Sequence, residues 1–127
     1  EMPDVNFRRA RHVISENERV ERAVSLLKTF DLKGFGVLMN ESHASMRDDY
    51  EITCPEIDYL AELAQTFDGV AGSRMTGGGF GGSTVNLVRR EILNDFCSQL
   101  TSSYKNETGI EPTILITNAC AGVEEFK

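Results

Sequence analysis

No apolar run in this 127-residue sequence approaches the roughly 20 residues that a membrane-crossing helix needs, and the opening EMPDVNFRRARHV has no apolar signal core. A membrane partner and a secretory route are therefore not expected. The three cysteines, Cys54, Cys97 and Cys120, are odd in number, widely spaced and without a C-x-x-C pair, which argues against a disulfide framework and against structural zinc. Together these absences read as a soluble cytoplasmic chain in a reducing compartment. Basic residues are also scarce: 13 Lys and Arg stand against 20 Asp and Glu, a formal net charge of −7. Binding a phosphate backbone needs clustered Lys and Arg, so a nucleic-acid partner is disfavoured. Low-complexity tracts and internal repeats are missing too, and the 40% hydrophobic and 26% charged composition is that of one ordinary globular domain. The chain enters an apparent helix within a few charged residues, which reads as a start in mid-protein.

What is present begins with helical periodicity. Ala10, Val13, Val20, Val24 and Leu27 recur at steps of three and four with Asn17 completing the stripe, predicting an amphipathic helix from about Arg9 to Lys28 with Asn17 as a packing residue in its seam. A second helix is expected from about Leu32 to Arg47, capped by Asp31, with Gly34 and Gly36 weakening its start. Thr53 and Glu56 form a capping-box pattern around Pro55, opening a third helix whose buried face is Ile57, Leu60, Ala61 and Ala64. Val70 to Thr76 and Ser83 to Val88 then read as a hairpin, Glu91 to Tyr104 as a further helix, and TILIT, residues 113–117, as a third strand. This order predicts an α+β domain: a largely antiparallel sheet covered by helices.

Two segments carry candidate chemistry. ESHASMRDDYE holds Ser42, His43, Ser45, Asp48 and Asp49. Neighbouring helical positions such as Ser42 and His43 point about 100° apart, which excludes a nucleophile–base dyad from that pair. Asp48 and Asp49 read as a solvated connection after the helix rather than as cation ligands, so neither a catalytic residue nor a metal site is assigned here.

The other segment is RMTGGGFGGSTVNLV, in which Gly77, Gly78, Gly79, Phe80, Gly81 and Gly82 stand consecutively between two strands. Glycine weakens an ordinary hairpin, and a simple tip needs only one or two positive φ angles, so this density points to close approach of another group. A dinucleotide fingerprint fails because strand-like residues rather than a helix follow Gly82, and Ser102 and Ser103 lie where an acidic residue is required. A Walker loop fails for want of Lys before Ser83, and the protein-kinase lid fails for want of the motifs that should follow it. Successive glycine N–H groups can still form a concave nest for an oxyanion, with Arg74, Met75, Thr76 and Ser83 as secondary candidates. Arg74 reads equally well as a surface strand residue.

FRRARHVISENERV, LMNESHASMRDDYEITCPEID and GSRMTGGGFGGSTVNLV, in this order and spacing, resemble the carboxy-terminal half of galactokinases, members of the GHMP family of small-molecule kinases. The resemblance spans nearly the whole chain, residues 1–127. Ser83 is one departure, since many galactokinases carry Cys there. The resemblance implies a ferredoxin-like domain and ATP-dependent phosphorylation of the anomeric hydroxyl of galactose. It also implies Mg²⁺ and a cleft shared with the protein's own amino-terminal domain. In the family that domain carries the sugar-binding motif, the serine-rich phosphate loop and the catalytic Asp and Arg, none of which is found here. The expectation is thus a carboxy-terminal fragment, inactive alone, whose Gly77–Gly82 run resembles the family's third motif beside the nucleotide phosphates. A related GHMP small-molecule kinase and a catalytically silent sugar-sensing module remain the alternatives.

Overall fold

The computed structural model describes residues 3–120 and 122. Helix α1 runs from Asp4 to Lys28, with Asp4 in its first turn and Lys28 in its last complementing the helix dipole. Its packed face is not the expected stripe. His12 is buried and Glu16, Arg19 and Ala23 are half-buried, whereas Asn17, Val13, Val20, Val24 and Leu27 face solvent, Val20 at 62% exposure. The surface that α1 meets offers Ser42, Ser45 and Asp49, so the helix docks through polar groups and leaves its apolar stripe outside.

Helix α2, Leu32–Ser45, starts as expected, with the Gly34 N–H donating to the Asp31 carboxylate at 2.8 Å. Gly36, which weakens the helix locally, has a tertiary purpose. A Cβ there would lie 2.0 Å from the Ala71 carbonyl oxygen, and a Cβ on Gly72 would lie 2.2 Å from that of Gly36. Helix and strand backbones touch at a place where neither can carry a side chain. The helix then widens into a five-residue π turn, Met46–Tyr50, and ends at Glu51 in the left-handed region, φ 57°. Helix α3, Pro55–Gln65, begins with its proline in the first turn, but the expected capping box does not form. The Thr53 hydroxyl donates to Asp58 instead, at 3.0 Å, leaving the helix end without a side-chain cap.

Strands β1, Val70–Thr76, and β2, Ser83–Val88, pair antiparallel, with Thr76 opposite Ser83 and a bulge between Val70 and Gly72. A short 3₁₀ turn, Arg90–Ile92, leads into α4, Leu93–Thr108, which Gly109 terminates at φ 73°. The class is α+β, as expected, with helices against an antiparallel sheet. That sheet has two strands among the described residues. The third strand expected at residues 113–117 does not pair: the segment runs past β2 across a cavity of about 440 Å³ lined by Val85, Leu87, Ile114 and Ile116. Strand propensity describes a side chain's fit to a pleated surface, and it does not bring a backbone within hydrogen-bonding distance of an edge.

Two apolar clusters hold the layers together. Met46, Ile57 and Met75 form one, flanked by Ile52 and Cys54, with Met75 contributed by the strand that leads into the glycine loop. Ala64, Phe96 and Leu100 form the other, where Phe67 meets Phe96 edge to face with ring centroids 5.2 Å apart. Among the described residues no helix is long and apolar enough to cross a membrane.

Candidate functional site

The loop between β1 and β2 takes a conformation that few side chains tolerate. Gly77, Gly79, Phe80, Gly81 and Gly82 all have positive φ, from 57° at Phe80 to 135° at Gly81. Around Gly77, Gly78 and Gly81 the space a Cβ would enter is open to 4 Å, so within this chain the loop's bare backbone faces outward. Phe80 is 76% exposed. Gly79 is the exception, since its Cβ would fall 2.6 Å from the Ile52 carbonyl oxygen, and the next residue's N–H, that of Phe80, donates to the same oxygen at 2.6 Å. One side of the loop is thus pinned and the other is free.

The strand leading into the loop is held at its outer edge by helical side chains. The Ser73 N–H donates to Asn40 Oδ1 at 2.8 Å, the Ser73 carbonyl accepts from Gln65 Nε2 at 3.0 Å, and the Met75 N–H donates to His43 Nδ1 at 3.2 Å. Residues two apart in a strand aim their N–H groups at the same edge. Asn40 and His43 therefore satisfy the donors that β1 does not spend on β2. His43 is buried, and that burial holds its pKa below the ordinary imidazole value despite the nearby Asp58 carboxylate. A neutral ring accepting at Nδ1 carries its proton on Nε2, which stands 3.2 Å from Asp58 Oδ1, too poorly aligned for a hydrogen bond.

The secondary candidates are placed as follows. The Met75 side chain is fully buried in the core, 0% exposed, and takes no part in the loop surface. Thr76 and Ser83 are exposed at the loop's two shoulders. The Arg74 guanidinium turns toward α1, 3.8 Å from Glu16 Oε2, and donates from Nε to the Met75 carbonyl at 3.1 Å. Asp49, expected in a solvated connection, is buried to 8% exposure. It accepts from Arg11 Nε at 3.0 Å and from the Ser45 hydroxyl at 3.2 Å. The Arg11 bond chiefly lowers its pKa, with Ser45 assisting against the cost of burial. The reason is the π turn, which rotates Asp49 inward while Asp48 stays outside against Arg47.

The residues that sequence reasoning did not single out are Arg8, Arg9, Glu51 and Ile52. Arg8 and Arg9 donate to the two carboxylate oxygens of Glu51, which lies beside the loop's anchoring carbonyl. These bonds hold the Glu51 pKa down. More than 40 positions separate the partners along the chain, and no local pattern joins them.

Residues 23–106 match the family model described as GHMP kinases C terminal, so the chain belongs to the carboxy-terminal domain family of the GHMP kinases. Galactokinases are among the relatives it matches. The galactokinase of Clostridium acetobutylicum is 48% identical over 122 residues, covering 96% of this chain and 31% of the relative. That of Glaesserella parasuis serovar 5 is 50% identical over 124 residues, covering 97% and 32%. The crystal structure of Lactococcus lactis galactokinase complexed with galactose superposes with a TM-score of 0.83 at 41% identity, covering 86% of this chain and 28% of that one. The chain therefore spans about a third of the length of the curated relatives it matches.

Proposed function

We propose that this chain forms the carboxy-terminal domain of a galactokinase, in which the γ-phosphoryl group of ATP passes to the anomeric hydroxyl of galactose. In this reading Gly77–Gly82 border the nucleotide phosphates. The observation that carries the reading is the loop's asymmetry: Gly79 and Phe80 are pinned to Ile52, while at Gly77, Gly78 and Gly81 no other group of the chain lies within 4 Å of where a Cβ would stand. An oxyanion fits such a surface because N–H groups can approach it without side-chain interference. Phosphoryl transfer rests mainly on positioning and electrostatic stabilisation, which suits a site of backbone donors lacking an acid or base.

ATP supplies the transferable phosphoryl group and Mg²⁺ the charge neutralisation. Among the described residues no group of three His, Cys, Asp or Glu side chains is placed to hold a metal ion. We assign the ion, the general base and the sugar contacts to the amino-terminal domain of the same protein. The outward stripe of Val13, Val20, Val24 and Leu27 on α1 gives that domain an apolar face to pack on. The chain alone is then inactive, and its place is the cytoplasm with the sugar and nucleotide.

The test is Gly78→Val in the full-length kinase. Gly78 has no positive φ and open space around it, so the substitution should leave the melting temperature within about 1 °C, as for an unstrained surface change. If the loop borders the phosphates, kcat/KM should fall on the order of 100-fold from displaced reactants. Normal turnover would show the loop to be only a hairpin tip.

A further inference from the structure

The glycine loop is anchored at one carbonyl, and the geometry of that carbonyl is set from the far end of the sequence. Ile52 accepts from the Phe80 N–H at 2.6 Å, and its own N–H closes the π turn on the Met46 carbonyl at 3.1 Å. Between turn and anchor sits Glu51, a non-glycine residue at φ 57°. Such a conformation persists when its surroundings over-determine it. The surroundings here are two consecutive arginines of α1. Arg8 Nη1 and Arg9 Nη2 donate to the two Glu51 carboxylate oxygens at 2.5 Å each. The same guanidinium groups also take the carbonyls of Asp48 and Asp49, which the end of a helix leaves without intrahelical partners. The Asp48 and Asp49 carbonyls and both Glu51 carboxylate oxygens are thereby committed to α1. The contact is partly exposed and belongs to neither apolar cluster, and the residue that follows Glu51 is Ile52, whose carbonyl anchors the loop.

We propose that Arg8, Arg9 and Glu51 are positioning residues for the glycine loop, acting through the Ile52 carbonyl to fix where the loop amides stand beside the phosphates. This inference rests on the proposed function of the loop. It makes α1 part of the active-site scaffold, and it gives a use to the π turn, a rare feature frequently found at functional sites.

The experiment compares wild type, Glu51→Ala and Glu51→Gln in the full-length kinase by amide hydrogen exchange and steady-state kinetics. Glu51→Ala should speed exchange at Phe80 about tenfold while α3 and α4 keep their protection, as expected for a local opening. It should lower kcat by about 10- to 100-fold with KM for galactose unchanged, because the loop is misplaced while sugar binding is not. Glu51→Gln, which keeps the shape and one acceptor, should recover part of both effects. Arg8→Lys with Arg9→Lys serves as the second variant if Glu51→Ala does not fold, and it should reproduce the loss. Unchanged exchange at Phe80 would overturn the proposal, as would exchange rising equally in α3 and α4, which would mean general loosening. Faster exchange at Phe80 with undiminished kcat would also overturn the positioning role. In that case Gly78→Val tells the two readings apart: if it still loses turnover, the brace alone fails, and if it too is fully active, the loop's phosphate role fails with it.

Discussion

Three alanine substitutions in one loop should separate backbone strain from collision. Gly78→Ala meets open space at an unstrained backbone and should be neutral within about 0.5 kcal/mol. Gly77→Ala also meets open space but sits at φ 95°, so only the strain of an L-residue with positive φ applies, about 1–2 kcal/mol. Gly79→Ala carries that strain at φ 89° and adds a Cβ 2.6 Å from the Ile52 carbonyl oxygen, a backbone atom that no side-chain rotation can move away. Relief requires the loop to lift, which sacrifices the Phe80–Ile52 hydrogen bond, worth about 0.5–1.5 kcal/mol. The total is about 1.5–3.5 kcal/mol. At roughly 4 °C per kcal/mol for a chain of this size, the melting temperature should fall by about 6–14 °C. Urea unfolding followed by circular dichroism gives the free energies, and an unchanged slope confirms that only stability has moved. The expected order of loss is Gly79, then Gly77, then Gly78. Equal losses at Gly79 and Gly78 would refute the argument, since the Ile52 contact would then be irrelevant.

Other perturbations probe the rest of the molecule. Gly36→Ala should cost at least as much as overpacking a tight core, about 1–3 kcal/mol or more, because its methyl would lie 2.0 Å from the Ala71 carbonyl oxygen in the α2–β1 contact; an unchanged melting temperature would show that the layers separate easily. Asp31→Ala removes the α2 cap and should cost about 1 kcal/mol in urea unfolding, while Asp31→Asn should retain most of it. His43 and His12 are both held below the ordinary imidazole pKa by burial, so the unfolded chain takes up protons from about pH 6.5 downward while the fold resists them. Stability should be level above that pH and fall below it, and His43→Gln should flatten part of the slope in denaturation curves recorded at each pH. Asp49 acts lower still: its depressed pKa contributes stability that is present above about pH 3.9 and lost as pH falls through the folded value, so Asp49→Asn should flatten part of the acid limb.

Local pattern alone was enough to place the four helices and the hairpin, because periods of 3.6 and 2, a capping aspartate at Asp31 and a first-turn proline at Pro55 are all short-range properties. It also marked Gly77–Gly82 as a loop too bare for a simple tip, and the quoted motifs pointed to the GHMP kinases. Tertiary structure decided what each feature meets. The stripe on α1 proved to be its outer face because the surface beneath it is polar, and TILIT stayed unpaired because strand propensity cannot supply a neighbour within reach. Gly36, a defect when α2 is considered alone, became the place where the α2 backbone meets β1 too closely for a side chain. His43 and Asp49, which read as reactive or solvated side chains, became the acceptor at the edge of β1 and the buried partner of Arg11. The brace from Arg8 and Arg9 through Glu51 to Ile52 and Phe80 lay beyond sequence reasoning, because charge pairs separated by more than 40 residues leave no periodic trace and arise only when the chain folds α1 across the end of the π turn.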